Sequence, residues 1–382
     1  MRRFICLLLS LLLLFAFTVS AFASDEDLVS TPVFSGASAT SYILMDGDTG
    51  AVLSSRNCDL PLPMASTTKI MTCVLALEEK SISDQVTVPK EAVGVEGSSV
   101  YLTSSETLSL EELLYALMLE SANDAAVAIA CHVSGSVDAF VEKMNEKAKE
   151  IGMKCTQFQN PHGLPADLHY STARDLSILM KYALSNPVFC EMIETKTFSI
   201  SAPEGKTRYL SNHNKLLRLY SDCIGGKTGY TKVAGRCLVS AAQRDGKKLI
   251  CSTLGDPNDW KDHMSLFDYG FSLYSKKLIS EVGDHCYTVS VVGGKSSEVK
   301  VTNTASFSVP LRAEEQIVCK VEVPKFVYAG ISSGDEIGTV IFYRDKEEIN
   351  RLPLVAEKSV SPREEKLSFW ENLWQNFIIW LN

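Results

Sequence analysis

The chain has no block of basic residues; its 37 Lys and Arg are outnumbered by 46 Asp and Glu among 382 residues. Nucleic-acid binding is excluded on that balance, because phosphate contacts need clustered Lys and Arg. There is no CxxC pair and the six histidines are scattered, so no zinc site is suggested and no metal or cofactor is expected. The Gly-x4-Gly-Lys-Ser/Thr spacing of a phosphate loop fails. No internal repeat and no low-complexity tract interrupts the sequence. Cysteine is not scarce, however: ten of the eleven lie between Cys58 and Cys319. An even count invites a disulfide reading. A chain this long does not need staples, and a thiol inside an apolar run packs as a small hydrophobe.

What is present is a folded composition, 46% hydrophobic and 22% charged, on a length comfortable for two domains. Arg2 and Arg3 precede an apolar run from Phe4 to Phe17, and Ala21-Phe22-Ala23 offers a small-x-small cleavage site. Residues 1–23 read as a secretory signal peptide, which predicts an exported protein. Further on, Ser41–Met45 and Ala51–Ser54 read as strands around the turn residues Asp46–Gly50. Ser66–Lys80 reads as a helix apolar nearly all round, hence buried. Helical patterns follow over Leu110–Cys131, Val137–Ile151, Thr172–Leu184 (with Ser171 as N-cap) and Trp260–Lys276. Leu238–Gln243 and Lys248–Leu254 form a hairpin across Asp245-Gly246. After about residue 276, alternating runs at Thr288–Val292, Val299–Thr302, Ile317–Val323 and Thr339–Tyr343 indicate a separate small β domain.

The chain ends in an amphipathic stretch. Leu367, Trp370, Leu373, Trp374, Phe377, Ile378 and Leu381 fall on one helical face. At 1.5 Å per residue, Leu367 to the last residue reaches about 24 Å, short of a roughly 30 Å hydrocarbon core. A helix over 363–382 is therefore expected to lie in a membrane interface rather than span it, with the tryptophans at headgroup level.

Three short patterns carry chemistry. In Ser66-Thr67-Thr68-Lys69, residues three apart on a helix are neighbours, so hydroxyl and amine can meet. A serine needs a base to become a nucleophile, and a lysine serves once burial lowers its pKa. Ser121-Ala122-Asn123 offers a hydroxyl for proton relay and an amide to hold a substrate backbone. Lys227-Thr228-Gly229, followed by Tyr230, leads towards a hairpin edge strand; lysine and threonine there can bind a carboxylate, and glycine allows close backbone approach. Each also has a plain structural reading, respectively an N-cap, a polar loop and a surface turn. The first two have second matches, Ser297–Lys300 and Ser55-Arg56-Asn57, the former read as an ordinary exposed strand.

The order of the three is that of β-lactamases and penicillin-binding proteins, with Ala122 where an Asp is usual. Residues 38–276 resemble the catalytic domain of serine-type D-alanyl-D-alanine carboxypeptidases, the low-mass penicillin-binding proteins. Pro63-Met64-Ala65, Ile70-Met71-Thr72, Asn160–Leu164, Ser171–Leu176, Asn212-His213-Asn214 and Ala234–Val239 carry that resemblance. It implies an α/β (α+β) fold of the β-lactamase/transpeptidase type over 28–276. In it an antiparallel sheet is flanked by helices, and a small all-β domain over 277–358 and the tail follow.

It further implies that Ser66 attacks the penultimate D-Ala carbonyl with Lys69 as base and Ser121 as proton relay. Asn123, Lys227, Thr228, Gly229 and Tyr230 would bind substrate, with the N–H groups of Ser66 and Tyr230 around the oxyanion. The implied partners are peptidoglycan stem peptides ending in D-Ala-D-Ala, β-lactams as acylating inhibitors, and the outer membrane surface. His162 and His169 invite a Ser-His-Asp triad, but the Ser-Lys pair already supplies the base. The competing functions are a β-lactamase, against which no Glu-x-x-Leu-Asn follows Asn123, and a non-catalytic wall-binding or penicillin-sensing protein.

Overall fold

The computed structural model describes residues 33–344 and 346–363. The expected signal peptide, and the tail beyond Arg363, lie outside the described residues. Strands β1 (Ser41–Asp46) and β2 (Val52–Arg56) form the first hairpin, as their turn chemistry predicts. Three later strands, β3 (Cys223–Thr231), β4 (Gly235–Arg244) and β5 (Lys247–Leu254), complete an antiparallel sheet of order β2-β1-β5-β4-β3. The Lys227-Thr228-Gly229 motif is thus part of the edge strand itself.

Successive side chains along these strands alternate between two apolar layers. Ile43, Met45, Val239, Ala241 and Ile250 face one cluster. Tyr42, Leu44, Leu238, Leu249 and Cys251 face the other, packed on Leu266, Phe267 and Phe271. The first layer is built by α1 (Lys69–Glu79), α2 (Leu110–Leu119), α3 (Asn123–Ser134), α4 (Val137–Glu150), α5 (Ala173–Ala183) and α6 (Pro187–Glu194); the second by α7 (Asp259–Ser272). Residues Lys69 to Ala76 of α1 are all buried, as its all-round apolarity predicts.

Two helix ends differ from expectation. Thr172, not Ser171, caps α5: its Oγ1 accepts the Asp175 N–H at 3.0 Å. α7 stops at Ser272 instead of reaching Lys276, because Ser275–Ser280 is a strand paired with Phe307–Leu311. That pairing is non-local, so helical periodicity gives no sign of it. The β domain that follows is a six-stranded sheet, running in space Ile317–Glu322, Glu336–Arg344, Glu347–Ala356, Glu298–Asn303, Cys286–Val292, Phe326–Tyr328. Its own core gathers Val289, Val301, Val340, Phe342 and Leu354. Ser297–Lys300 enters Glu298–Asn303, an inner strand of this sheet paired on both sides, where Val299 is buried, against the expectation of an exposed strand. The ten cysteines from Cys58 to Cys319 are all unpaired.

One buried carboxylate fastens the sheet. Asp46 Oδ1 accepts the Asp48 and Thr49 N–H groups at 2.9 and 3.0 Å, closing the β1–β2 turn. Its Oδ2 takes Lys247 Nζ at 2.5 Å and the Tyr274 hydroxyl at 2.6 Å. Burial alone would raise the Asp46 carboxyl, but the Lys247 and Tyr274 contacts hold it below the ordinary carboxylate range. Removing it takes the nearest carboxylate from the buried Lys247 ammonium, leaving Asp48 Oδ2 at 3.0 Å, and strips the Tyr274 hydroxyl and the Asp48 and Thr49 N–H groups of their acceptor. Asp46→Ala should therefore lose about 3–5 kcal/mol in urea unfolding. A loss below roughly 1 kcal/mol, the size of a surface substitution, would contradict this account.

Candidate active site

Ser66 sits in a single 3₁₀ turn, Ala65–Thr68, immediately before α1. The turn is forced. Ala65 has φ 48°, in the left-handed region that a β-carbon disfavours. Two backbones press on it. A Cβ at Gly163, itself at φ 94°, would fall 2.0 Å from Ala65 O, and one at Gly229 would fall 2.9 Å from Ser66 N. Glycine at both positions lets the Asn160–Leu164 loop and edge strand β3 close on the serine from two sides.

Lys69 is the first residue of α1, and its Nζ lies 3.1 Å from Ser66 Oγ. The same nitrogen donates to Asn123 Oδ1 at 2.6 Å and to the His162 carbonyl at 2.5 Å. Asn123 is aimed by its own backbone and amide: its N–H donates to Ser98 O at 2.7 Å and its Nδ2 to Glu96 O at 2.6 Å. Lys69 is wholly buried. Burial pushes its amine well below the ordinary lysine range, the Lys227 charge pushes the same way, and Asp124 opposes them.

Ser121 precedes α3 at φ 61°, a second strained residue within the motifs. Its Oγ accepts Lys227 Nζ at 3.0 Å, which also donates to Thr228 O at 3.0 Å. Lys227 is buried too, and burial brings it down to about 7. Ser66, Ser121, Thr228, Gly229 and Tyr230 line one open cavity of about 520 Å³. Lys69 and Lys227 reach it from beneath through the two serines, and Asn123 holds Lys69 from behind. All eight residues singled out in the sequence therefore converge.

Residues 28–258 match the sequence family described as D-alanyl-D-alanine carboxypeptidase, and residues 274–362 match the C-terminal domain of penicillin-binding protein 5. The chain belongs to the D-alanyl-D-alanine carboxypeptidase family. Among its relatives, D-alanyl-D-alanine carboxypeptidase DacF of Bacillus subtilis (strain 168) is 31% identical over 371 residues, covering 94% of this chain and 95% of that protein. DacC of Escherichia coli (strain K12) is 30% identical over 380 residues, covering 94% and 92%. Two solved structures superpose with a TM-score of 0.61 each. The D-alanyl-D-alanine carboxypeptidase of Mycobacterium tuberculosis H37Rv is 33% identical, covering 64% of this chain and 95% of that one. Penicillin-binding protein 5 of Haemophilus influenzae is 29% identical, covering 87% and 99%.

Within this site the two tempting histidines stand apart from the serine. His162 contributes its carbonyl, while its ring Nδ1 accepts the Leu164 N–H at 3.2 Å. His169 Nε2 meets Thr68 Oγ1 at 2.8 Å and its Nδ1 accepts the Gln159 N–H at 3.0 Å. Burial first, and Lys69 second, lower His162 to about 3 and His169 to about 4. Both are neutral braces of the loop. Arg174 and Asp175 are structural as expected: Arg174 pairs with Asp59 at 2.6 Å, and Asp175 accepts the Cys155 N–H at 2.7 Å.

Sequence reasoning assigned no role to the cavity's cationic corner. Arg236, opposite Tyr230 in the β3–β4 register, lines the cavity and shares Nη2 between both Asp259 oxygens at 2.8 Å, with its guanidinium 5.3 Å over Trp260. The Ala234–Val239 segment carries part of the family resemblance, but nothing local in the sequence links Arg236 to Asp259.

Gly163→Ala tests the clamp directly. The methyl must push the loop off Ala65 and carry the His162 carbonyl away from Lys69. Penicillin labelling of the folded protein should slow by roughly ten- to a hundredfold, the scale at which misplacement near 1 Å acts. An unchanged labelling rate would show that the close approach is not needed.

Proposed function

We propose that this protein is a serine D-Ala-D-Ala carboxypeptidase, which removes the terminal D-Ala from peptidoglycan stem pentapeptides through an acyl-enzyme on Ser66 and is acylated by penicillin at the same atom. One observation carries the assignment. Lys69 Nζ is 3.1 Å from Ser66 Oγ, and two carbonyl oxygens, Asn123 Oδ1 and His162 O, take its other contacts. A neutral amine has two N–H donors and one lone pair. The carbonyls use the donors, so the lone pair is left facing the serine hydroxyl.

The chemistry follows from that pairing. The Ser66 hydroxyl gives its proton to Lys69, and Oγ attacks the penultimate D-Ala carbonyl. The N–H groups of Ser66 and Tyr230 receive the oxyanion; such donors contribute about 10²–10³ in rate each. The C–N bond breaks, and the leaving amine takes the proton by way of Ser121, which bridges towards Lys227. Water, its proton taken by Lys69, then releases the shortened peptide from Ser66. Lys227 and Thr228 hold the terminal carboxylate, which makes this an exo-acting enzyme, and Asn123 holds the substrate backbone. Against the β-lactamase alternative, this chain has no water-activating Glu-x-x-Leu-Asn segment between Asn123 and Lys227.

Location follows the same reading. Residues 1–23 would direct export, domains 28–276 and 277–358 would face the wall, and 363–382 would hold the protein on the outer membrane face. Among the described residues no single helix is long and apolar enough to cross a membrane.

The direct test is intact-mass spectrometry after penicillin, together with D-Ala release from a pentapeptide. One adduct on the Ser66 peptide and stoichiometric D-Ala are expected; an adduct elsewhere, undiminished labelling of Ser66→Ala, or rapid repeated penicillin hydrolysis would overturn the assignment.

Acidity adds a second test. Lys69 must be neutral, so activity rises as pH climbs through its lowered pKa. Lys227 must be charged, so kcat/KM of the free enzyme falls as pH rises through about 7. A bound carboxylate favours the ammonium, so the same limb in kcat lies higher. Lys227→Gln should erase that alkaline limb. It should also move the acid limb to higher pH, because the Lys227 charge helps depress Lys69. Free-acid substrates should lose roughly ten- to a hundredfold, and C-terminal amides far less. Equal losses on both would make Lys227 structural.

A further inference from the structure

The β domain ends in an apolar edge that no described segment covers. Its last strand, Phe326–Tyr328, pairs parallel with Cys286–Val292, placing Phe326 opposite Ser290 and Tyr328 opposite Val292. Val291 and Val327 turn inward to the domain core, and the alternate residues turn out. Val292, Phe326 and Tyr328 are 48%, 50% and 71% exposed and adjoin one another, whereas Val318, 66% exposed, lies on the opposite edge strand of the sheet. The two rings meet edge to face, 5.7 Å apart. They therefore form one patch, not scattered surface apolars.

The chain leaves the described structure at this same edge. The Arg363 N–H donates to Gly293 O at 2.7 Å, one residue beyond Val292, and the Lys295 N–H donates to Ser361 O at 2.9 Å. The Ala329 N–H donates to Val292 O at 3.0 Å, tying in the residue after Tyr328. The amphipathic segment 364–382 thus starts within a residue or two of the aromatic patch. The three segments that build the edge, 286–297, 323–330 and 359–363, contain Lys295, Lys325 and Arg363, with Glu298, Glu322, Glu357 and Glu364 at or near their ends, so apolar contact rather than net charge must supply the affinity. Lys325 and Arg363 are exposed.

We infer that this edge, through Val292, Phe326 and Tyr328, is a second lipid-contacting surface that rests in the bilayer interface beside the tail and fixes how the β domain stands on the membrane. The inference rests on the reading of 363–382 as a membrane anchor. A tail inserted in the interface holds the adjoining edge against the bilayer at high effective concentration, so even a weak apolar patch is engaged. Tyrosine and phenylalanine with flanking basic residues suit the headgroup boundary. A second copy of the chain is a poorer occupant, because a three-residue edge strand offers little backbone to pair with.

The test uses the mature full-length protein and vesicles of phosphatidylcholine and phosphatidylglycerol. Partition is measured by flotation, and backbone hydrogen exchange is measured with and without vesicles. Vesicles should slow exchange over 286–297 and 323–330. Phe326→Ser/Tyr328→Ser should weaken partition by roughly tenfold while D-Ala release from a soluble pentapeptide stays unchanged. If wild type floats but the double variant floats equally well and neither segment is protected, the edge contact is overturned and the tail anchor stands. If full-length wild type never floats, the anchor reading fails and takes the edge with it. Protection of the edge without vesicles that disappears on dilution, or on deletion of 364–382, would overturn the inference in favour of a second copy or of the tail itself.

Discussion

A buried amine with its donors already spoken for is the constraint on which the active site depends. Lys69 has no solvent to stabilise its charge, and two carbonyl oxygens fix the direction of its nitrogen. Desolvation lowers the pKa of any lysine. What distinguishes this one is that Asn123 Oδ1 and His162 O come from elements far apart in sequence, the start of α3 and the Asn160–Leu164 loop. The base is held by the fold, whereas the hydroxyl it serves comes with it on one helix turn. A second buried cation, Lys227, lowers Lys69 further and reaches the same cavity through Ser121. In the proposed mechanism two lysines of the same burial thus take opposite protonation states around one substrate, one as base and one as carboxylate receptor.

The surrounding architecture exists to make that burial possible. α1 is buried from Lys69 to Ala76, its apolar residues on every side leaving it no solvent face, so its first turn lies beneath the cavity. Edge strand β3 must run against that turn, and the loop carrying His162 must reach it from the other side. Both contacts are closer than a β-carbon permits, which is why Gly229 and Gly163 occur there. Two of the eight non-glycine residues with positive φ among those described, Ala65 and Ser121, lie at the site, and each is fixed by neighbours on several sides. Such strain persists because the sheet and its two apolar layers, stitched by Asp46, Lys247 and Tyr274, over-determine the backbone.

Much of this was legible from local pattern. A three-residue spacing places Ser66 near Lys69 whatever the fold, and the all-round apolarity of α1 implies the burial that makes Lys69 a base. Alternation located four of the β-domain strands and separated Ser297–Lys300 from the site. Convergence of the three motifs, by contrast, came through resemblance to a family. Residues whose roles depend on distant partners stayed hidden. Arg236 reads as an ordinary strand residue until Asp259 and Trp260 are beside it. The helical pattern of Trp260–Lys276 runs into the first two residues of the strand Ser275–Ser280, and nothing local marks the break, because the strand's partner lies some thirty residues on. The α5 cap slipped by one residue, since Ser171 and Thr172 are equally good acceptors by type and only geometry separates them.

The central claim is that Lys69 is the neutral base facing Ser66. Its most direct measurement is titration of the Lys69 side chain by NMR in protein carrying isotope-labelled lysine, with the resonance assigned by its loss in Lys69→Arg. The account predicts an amine that titrates far below the ordinary lysine value of about 10.4 and whose midpoint coincides with the acid limb of kcat/KM. An ammonium that stays protonated into the ordinary lysine range, in an enzyme active at neutral pH, would contradict it.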